Sequence, residues 1–263
     1  MQISGSTVLL TGATGGIGEA IARALAGRGA TLVLSGRRVD VLEPLASELG
    51  GRALAADLAL RPEVERLAAE AGEIDILVNN AALPASGALD SFTLEQVDRA
   101  LDVNLRAPVV LSHILAPPMV KRGHGQLVFI SSLSGKAATP NSSLYNATKF
   151  GMRGFAGALR AELRTTGVGV STVFPGFIRD AGMFHEAEVK LPPGVGTRTP
   201  DEVAKAVVTA IEKNRGEVDV APLPLRASTV FASLAPETAA RVARALGSDN
   251  ITRDMAAGQS DKR

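Results

Sequence analysis

The chain has 263 residues, of which 46% are hydrophobic and only 3% aromatic, and its formal net charge is +1. That length supports one large domain with a sizeable core, while the near-neutral balance and scarce aromatics remove both the electrostatic footprint and the stacking platforms of a nucleic-acid binder. The absence of cysteine excludes a disulfide framework and thiolate catalysis and suits a reducing cytoplasm. The opening MQISGSTVLL carries no basic region or cleavage-type site, and no apolar stretch reaches about 18 residues without a charge, so neither a signal peptide nor a membrane span is expected.

Ser6 to Leu10 is a short β-rich apolar run, and TGATGGIG follows at Thr11 to Gly18, opening an amphipathic helix that ends at Gly27 or Gly29. Strand, glycine turn and helix together are the context of a dinucleotide site. Gly12 permits the tight turn, Gly16 and Gly18 admit close approach of backbone and pyrophosphate, and the helix N-terminus faces the anion. A second strand, Thr31 to Leu34, runs into Ser35 to Arg38. The guanidinium groups of Arg37 and Arg38 match a ribose 2′-phosphate bidentately, or else form a solvated loop pair. Val39 to Leu49 reads as a helix and Arg52 to Ala55 as a strand, after which Asp57 is suited to cap the helix opening near Pro62. Glu63 to Ala71 is helical, and Ile74 to Ala82 is a buried strand ending in Asn79, Asn80, Ala81 and Ala82.

Beyond a loop of small residues from Pro84 to Ser91, a helix around Leu94 to Leu101 leads into DVNLRAP, which holds Asn104. Pro108 fits early in the next helix, and Pro117 with Pro118 predicts a kink or an end to it. The strand Gln126 to Ile130 feeds a loop bearing Ser132 and then a helix from about Ser143 to Thr165. On that helix Tyr145 and Lys149 are four apart, which stacks them on one face about 6 Å from each other along the axis. A phenol with a pKa of about 10 is a poor base at neutral pH, and an ammonium about 4 Å away favours the phenolate by roughly 4 kcal/mol, enough to bring Tyr145 near 7. Pairs at this spacing also occur on solvated helix faces. Phe150, Phe155 and Leu159 complete an apolar stripe of the core type.

Val168 to Phe174 is a strand followed by PGFIRD at Pro175 to Asp180, and Ala181 to Gly196 reads as a mobile lid whose Met183 and Phe184 either touch an apolar substrate or pack within the lid. Asp201 to Lys213 is a helix and Glu217 to Ala221 a last strand. Residues 222–247 suggest helices packed on the main domain (residues 1–221), and residues 248–263 a disordered tail. His113, His124 and His185 show no metal spacing, so no metal is assigned. Alternation of strand and helix through residue 221 predicts an α/β fold, a doubly wound (Rossmann-type) parallel sheet with the ligand at the carboxyl ends of its strands.

The glycine turn, Asn104, Ser132, Tyr145 and Lys149, in that order, resemble the motifs of the short-chain dehydrogenase/reductase family over roughly residues 5 to 220. The resemblance implies reduction of a small carbonyl substrate or oxidation of a secondary alcohol, with Asn104, Ser132, Tyr145 and Lys149 catalytic. It implies a cofactor held by Gly12, Thr14, Gly15, Gly16, Ile17 and Gly18, with Asp57 and Leu58 at the adenine. Asn80, Ala81, Tyr145, Lys149, Pro175, Gly176, Ile178 and Asp180 complete that set. Gly36 stands where NAD-using members place an acidic residue, so Arg37 and Arg38 point to NADP(H). Asn104 would interrupt its helix and hold a water linking Lys149 to solvent. The chain departs from the family at Ala82, usually glycine, and at Asp180, usually threonine, where the carboxylate would bind the nicotinamide carboxamide or face the substrate mouth. It also lacks the Asp-Gly-Gly ending. A homodimer or homotetramer is implied, and a weakly catalytic NADP(H) sensor or scaffold remains the alternative to an enzyme.

Overall fold

The computed structural model of the chain describes residues 1–187, 189, 191, 195–245 and 247–259. In chain order it runs β1 (Thr7–Thr11), α1 (Gly16–Ala26), β2 (Thr31–Gly36), α2 (Val39–Glu48), β3 (Arg52–Ala55), α3 (Arg61–Ala71) and β4 (Ile76–Asn79). The second half adds α4 (Leu94–Leu101), α5 (Ala107–Arg122), β5 (Gly125–Ile130), α6 (Ser143–Glu162), β6 (Val168–Pro175), α7 (Gly182–Glu186), α8 (Pro200–Glu212) and β7 (Glu217–Val220). Three helices follow: α9 (Leu223–Leu234), α10 (Pro236–Ala245) and α11 (Ser248–Ala257).

All seven strands are parallel, in the order β3-β2-β1-β4-β5-β6-β7. Buried on both faces, the central strands carry apolar residues on each side, as in Val8, Leu9 and Leu10 of β1. Alternate residues feed two separate cores. Val8, Leu10, Ile76 and Val78 pack with Ile21 and Leu25 of α1 and Val207 and Ile211 of α8. Leu9, Leu77, Leu127 and Phe129 pack with Leu67 of α3, Leu111 and Leu115 of α5 and Met152 of α6. The strand order reverses between β1 and β4, which opens a crevice at their carboxyl ends.

Several local expectations are corrected here. α5 continues through Pro117 and Pro118 to Arg122 and stops only where Gly123 turns left-handed at φ 75°. Burial of Leu111, Leu115 and Met119 against the sheet outweighs the lost backbone donors. On α6 the buried apolar residues are Leu144, Met152 and Ala156, and Phe155 and Leu159 of the expected stripe pack against the core, whereas Phe150 is 41% exposed and faces outward. Residues 248–257, expected as part of a disordered tail, form α11. Ser260 to Arg263, and residues 188, 190 and 192–194 of the expected lid, lie outside the described residues.

Candidate active site

At the crevice lies a cavity of about 1070 Å³, at the upper end of the size range of small-molecule sites. Its lining brings together Gly12, Thr14, Gly15, Gly16, Ile17, Gly18, Arg37, Arg38, Asp57, Leu58, Asn80, Ala81, Ser132, Tyr145, Lys149, Pro175, Gly176 and Ile178, residues drawn from six strand ends. Of the residues picked from the sequence, Asn104 and Asp180 do not line it.

The turn after β1 is built for close approach. Gly12 has φ 67°, and a Cβ there would lie 2.7 Å from Ala81 Cα, so both conformation and space require glycine. Asn80 braces the same turn, donating from Nδ2 to Thr11 O at 3.1 Å and to Gly12 O at 3.0 Å. Asn79, its neighbour, has its whole side-chain amide buried without a hydrogen-bond partner among the described residues. Ala82 adopts no positive φ, so its departure from glycine costs no backbone strain. Gly15 precedes α1 with no side-chain cap, which leaves first-turn N–H groups free for an anion at the lip of the cavity.

The strand-end arginines differ from each other. Arg38 donates from Nη2 to Thr14 O and so ties the second strand to the glycine turn. Arg37 lines the cavity and makes no hydrogen bond or ion pair among the described residues. A Cβ at Gly36 would press on the Thr14 side chain at 3.0 Å, so an acidic side chain at 36 would require Thr14 to move. Asp57 does not cap α3, whose N-cap is Leu60. Its carboxylate accepts from Ala59 N at 3.1 Å and pairs with Arg99 at 3.0 Å. Against the upward push of partial burial, those two partners hold it below the usual carboxylate range. A diphosphonucleotide therefore meets a cradle of backbone donors, one free guanidinium and a fixed Asp57–Leu58 turn, and the residues present fit such a group.

The second cluster sits at the ends of β5 and α6. Ser132 leaves β5 in extended conformation, and its Oγ accepts from Ser134 N at 3.1 Å. That acceptor bond orients the hydroxyl to donate to Tyr145, whose phenolate it favours. Asn146, which nothing in the sequence pattern marked, clamps this loop to α6: Nδ2 donates to Ser134 O at 2.7 Å and Ala137 O at 3.1 Å, and Oδ1 accepts from Thr139 N. Its only signal was a polar side chain one residue from Tyr145. Lys136 pins the same loop from behind, pairing with Glu217 at 2.9 Å and Asp219 at 2.6 Å.

Lys149 is 1% exposed, and its Nζ donates to Ile130 O at 3.0 Å and lies 5.6 Å from the Tyr145 ring centre. Burial lowers this ammonium to about 8. Burial also pushes the Tyr145 phenol up to about 12, against the downward pull of the Ser132 hydrogen bond. This corrects the expectation of a phenol near 7: the lysine is turned toward a strand carbonyl, and withdrawal from water outweighs any help it gives.

Asn104 is completely buried in a π-helical turn, Asp102–Arg106, between α4 and α5. There Ala107 N bonds back to Asp102 O, five residues away. The Asn104 side chain pairs twice with Leu83, accepting from its N at 2.6 Å and donating to its O at 2.9 Å. It thus fastens the chain after β4 to the widened helix from behind the cavity. Asp180 is set apart: it takes a left-handed φ of 70°, is exposed, and faces Arg179 at 3.4 Å. The next residue, Ala181, turns inward instead, so close to the glycine turn that a Cβ on Gly16 would overlap its own. The site also includes walls the sequence did not reveal, from α9 (Leu225, Thr229), α11 (Ile251, Met255) and Gln259 just past it.

A family model described as short chain dehydrogenase matches residues 6–191. Among curated proteins, the ketoacyl reductase HetN of Nostoc sp. is 37% identical over 242 residues, covering 89% of this chain and 84% of that protein. Among solved structures, a short-chain dehydrogenase from Sphingobium yanoikuyae in complex with NADPH superposes with a TM-score of 0.75 at 32% identity, covering 81% of this chain and 87% of that one. The closed form of a serine dehydrogenase complexed with NADP+ superposes at 0.74 with 28% identity, covering 83% and 95%. No helix among the described residues is long and apolar enough to cross a membrane. With a family match over more than two thirds of its length and a relative 37% identical across 89% of it, this chain belongs to the short-chain dehydrogenase/reductase family.

Proposed function

We propose that the protein is an NADP(H)-dependent oxidoreductase of the cytoplasm that interconverts a carbonyl and a secondary alcohol, with Tyr145 as general acid and base. The observation that carries this reading is the meeting of Ser132, Tyr145 and Lys149 in a cavity whose other end is the uncapped α1 and the unpaired Arg37. When bound, the cofactor supplies or receives a hydride at its nicotinamide. Arg37 receives the 2′-phosphate and the first turn of α1 the pyrophosphate. The NADPH and NADP+ of the two similar structures support that choice.

The proton falls to the chain's own residues. A phenol raised to about 12 is fully protonated at neutral pH, so Tyr145 is ready to donate to a carbonyl oxygen. Ser132, with its acceptor side occupied by Ser134 N, has its hydroxyl proton to place on the same oxygen or on the phenolate left behind. Lys149 remains mostly charged below about 8, and its ammonium steadies that phenolate and would hold the cofactor's ribose. Asn104 holds the π-turn and the Leu83 loop that back this end of the cavity, a positioning role. In the alcohol direction Tyr145 must first lose its proton, so oxidation is slow at neutral pH and accelerates with alkali. The outward face of α6, with Phe150 exposed and open space at Gly154 and Gly157, suits packing against a second copy in a homo-oligomer.

The test is a screen of NADPH oxidation against ketones, aldehydes and acyl thioesters. At least one carbonyl class is turned over. NADPH binding without oxidation by any of them would favour the non-catalytic sensor.

A further inference from the structure

Part of the cavity is walled by elements outside the nucleotide-binding sheet. α9 supplies Leu225 and Thr229, and α11 supplies Ile251 and Met255, beside Met183 and Phe184 of α7. These walls mix apolar side chains with the hydroxyls of Ser228, Thr229 and Thr252 and one carboxylate, Glu186. Among the described residues, α7, α9 and α11 place no lysine, arginine or histidine in the lining, so nothing there is suited to a carboxylate or phosphate on the substrate.

Gln259, two residues past α11, is set apart from these by a buried acceptor without a partner among the described residues. It lines the cavity and is 1% exposed. Its Nε2 donates to Met183 O at 3.3 Å, and because a carbonyl can receive only from the NH₂ end, this bond fixes which end of the amide is which. Oε1 is then a buried acceptor with no hydrogen-bond partner among the described residues. Leaving such a group unpaired costs about 1–3 kcal/mol, and native structures keep few of them without a bound molecule to complete them. The seat is tight: a Cβ added to Gly258 would lie 2.7 Å from both Cα and O of Ala187, at the end of α7.

We propose that Gln259 is a specificity-determining residue: latched to α7 through Met183, it presents Oε1 to a hydroxyl or N–H donor carried by a carbonyl substrate without an anionic group. This rests on the carbonyl reductase reading and adds a substrate class to it. The latch and the acceptor belong to one amide, so a substrate that satisfies Oε1 also holds the end of the chain against α7.

Matched pairs of short- and medium-chain ketones, each with its hydroxylated counterpart, test the proposal on the full-length protein loaded with NADPH. Affinity is measured calorimetrically and turnover as kcat/KM, so the pair ratio is read whether or not a substrate is converted. At least one pair favours the hydroxylated member by about 5- to 150-fold in the unmodified protein, the range set by one completed buried acceptor. With NADPH saturating, Gln259→Leu brings that ratio within about twofold, the ratio being the readout whatever the change in either ketone alone, and it raises amide hydrogen exchange across residues 183–187. Gln259→Met, nearer in shape, serves if the leucine variant does not fold. Equal affinities within every pair, a preference that survives the substitution, or unchanged exchange in α7 each overturn the inference. Absence of turnover with a preserved affinity ratio would instead count against the reductase reading alone.

Discussion

Lys149 carries a cost to stability that can be read from its pH dependence. Buried and lowered to about 8 from an ordinary 10.5, it binds its proton more weakly in the folded protein than in the unfolded chain. Between those two values the unfolded state holds more protons, so stability rises with pH across this window and is level below it, where both states are protonated. Integrated from pH 7 to pH 10, the two values give a gain of about 2–3 kcal/mol, or roughly 5–10 °C in Tm for a domain of this size. Lys149→Met fills similar space without the titration and lacks this rise. The measurement is Tm of both proteins without cofactor at several pH values, taken as a difference so that other groups cancel. Tyr145, pushed up to about 12, costs stability only above pH 10 and does so in both proteins. A difference that stays flat from pH 7 to pH 10 would refute the burial argument, and with it the assignment of Lys149 as a group kept charged at a price.

Two further predictions address the cofactor end. Arg37→Asp removes the free guanidinium and sets a carboxylate where a 2′-phosphate would lie, so NADPH affinity should fall by about 10- to 150-fold with NADH little changed; equal affinities for the two cofactors in the unmodified protein, titrated at one ionic strength, would defeat the preference. Asp180→Thr should leave kcat/KM and cofactor KM within about twofold, because Asp180 is exposed and outside the cavity, while a β-branched residue at φ 70° lowers stability by roughly 1 kcal/mol; a tenfold loss of activity would place the carboxylate back in the site.

The parts of this molecule legible in its sequence are those fixed by short-range geometry. Gly12, Gly16 and Gly18 follow a strand and open a helix within eight residues, and Tyr145 and Lys149 share a helix face by spacing alone, so their positions needed no tertiary information. The same holds for strand and helix alternation, which specified the parallel sheet. What depends on contacts between distant segments was not legible. Whether Tyr145 titrates low or high turns on how much water the folded cleft admits. Asp180 points away because one left-handed residue reverses the chain. Pro117 and Pro118 stay helical because α5 is held against the sheet, and Gln259 reaches the site only because α11 folds back on α7.

The central claim is hydride exchange between a nicotinamide and a carbonyl with Tyr145 supplying the proton. It is tested most directly by a single-turnover reaction with NADPH deuterated at the transferring position of C4, using whichever carbonyl the screen identifies and following the label by mass spectrometry. The account predicts an alcohol carrying the deuterium on its carbinol carbon, formed at least about 10²-fold more slowly by Tyr145→Phe, with NADPH affinity held within a few fold. A product without the label, or a phenylalanine variant that keeps more than about a tenth of the rate, would contradict it.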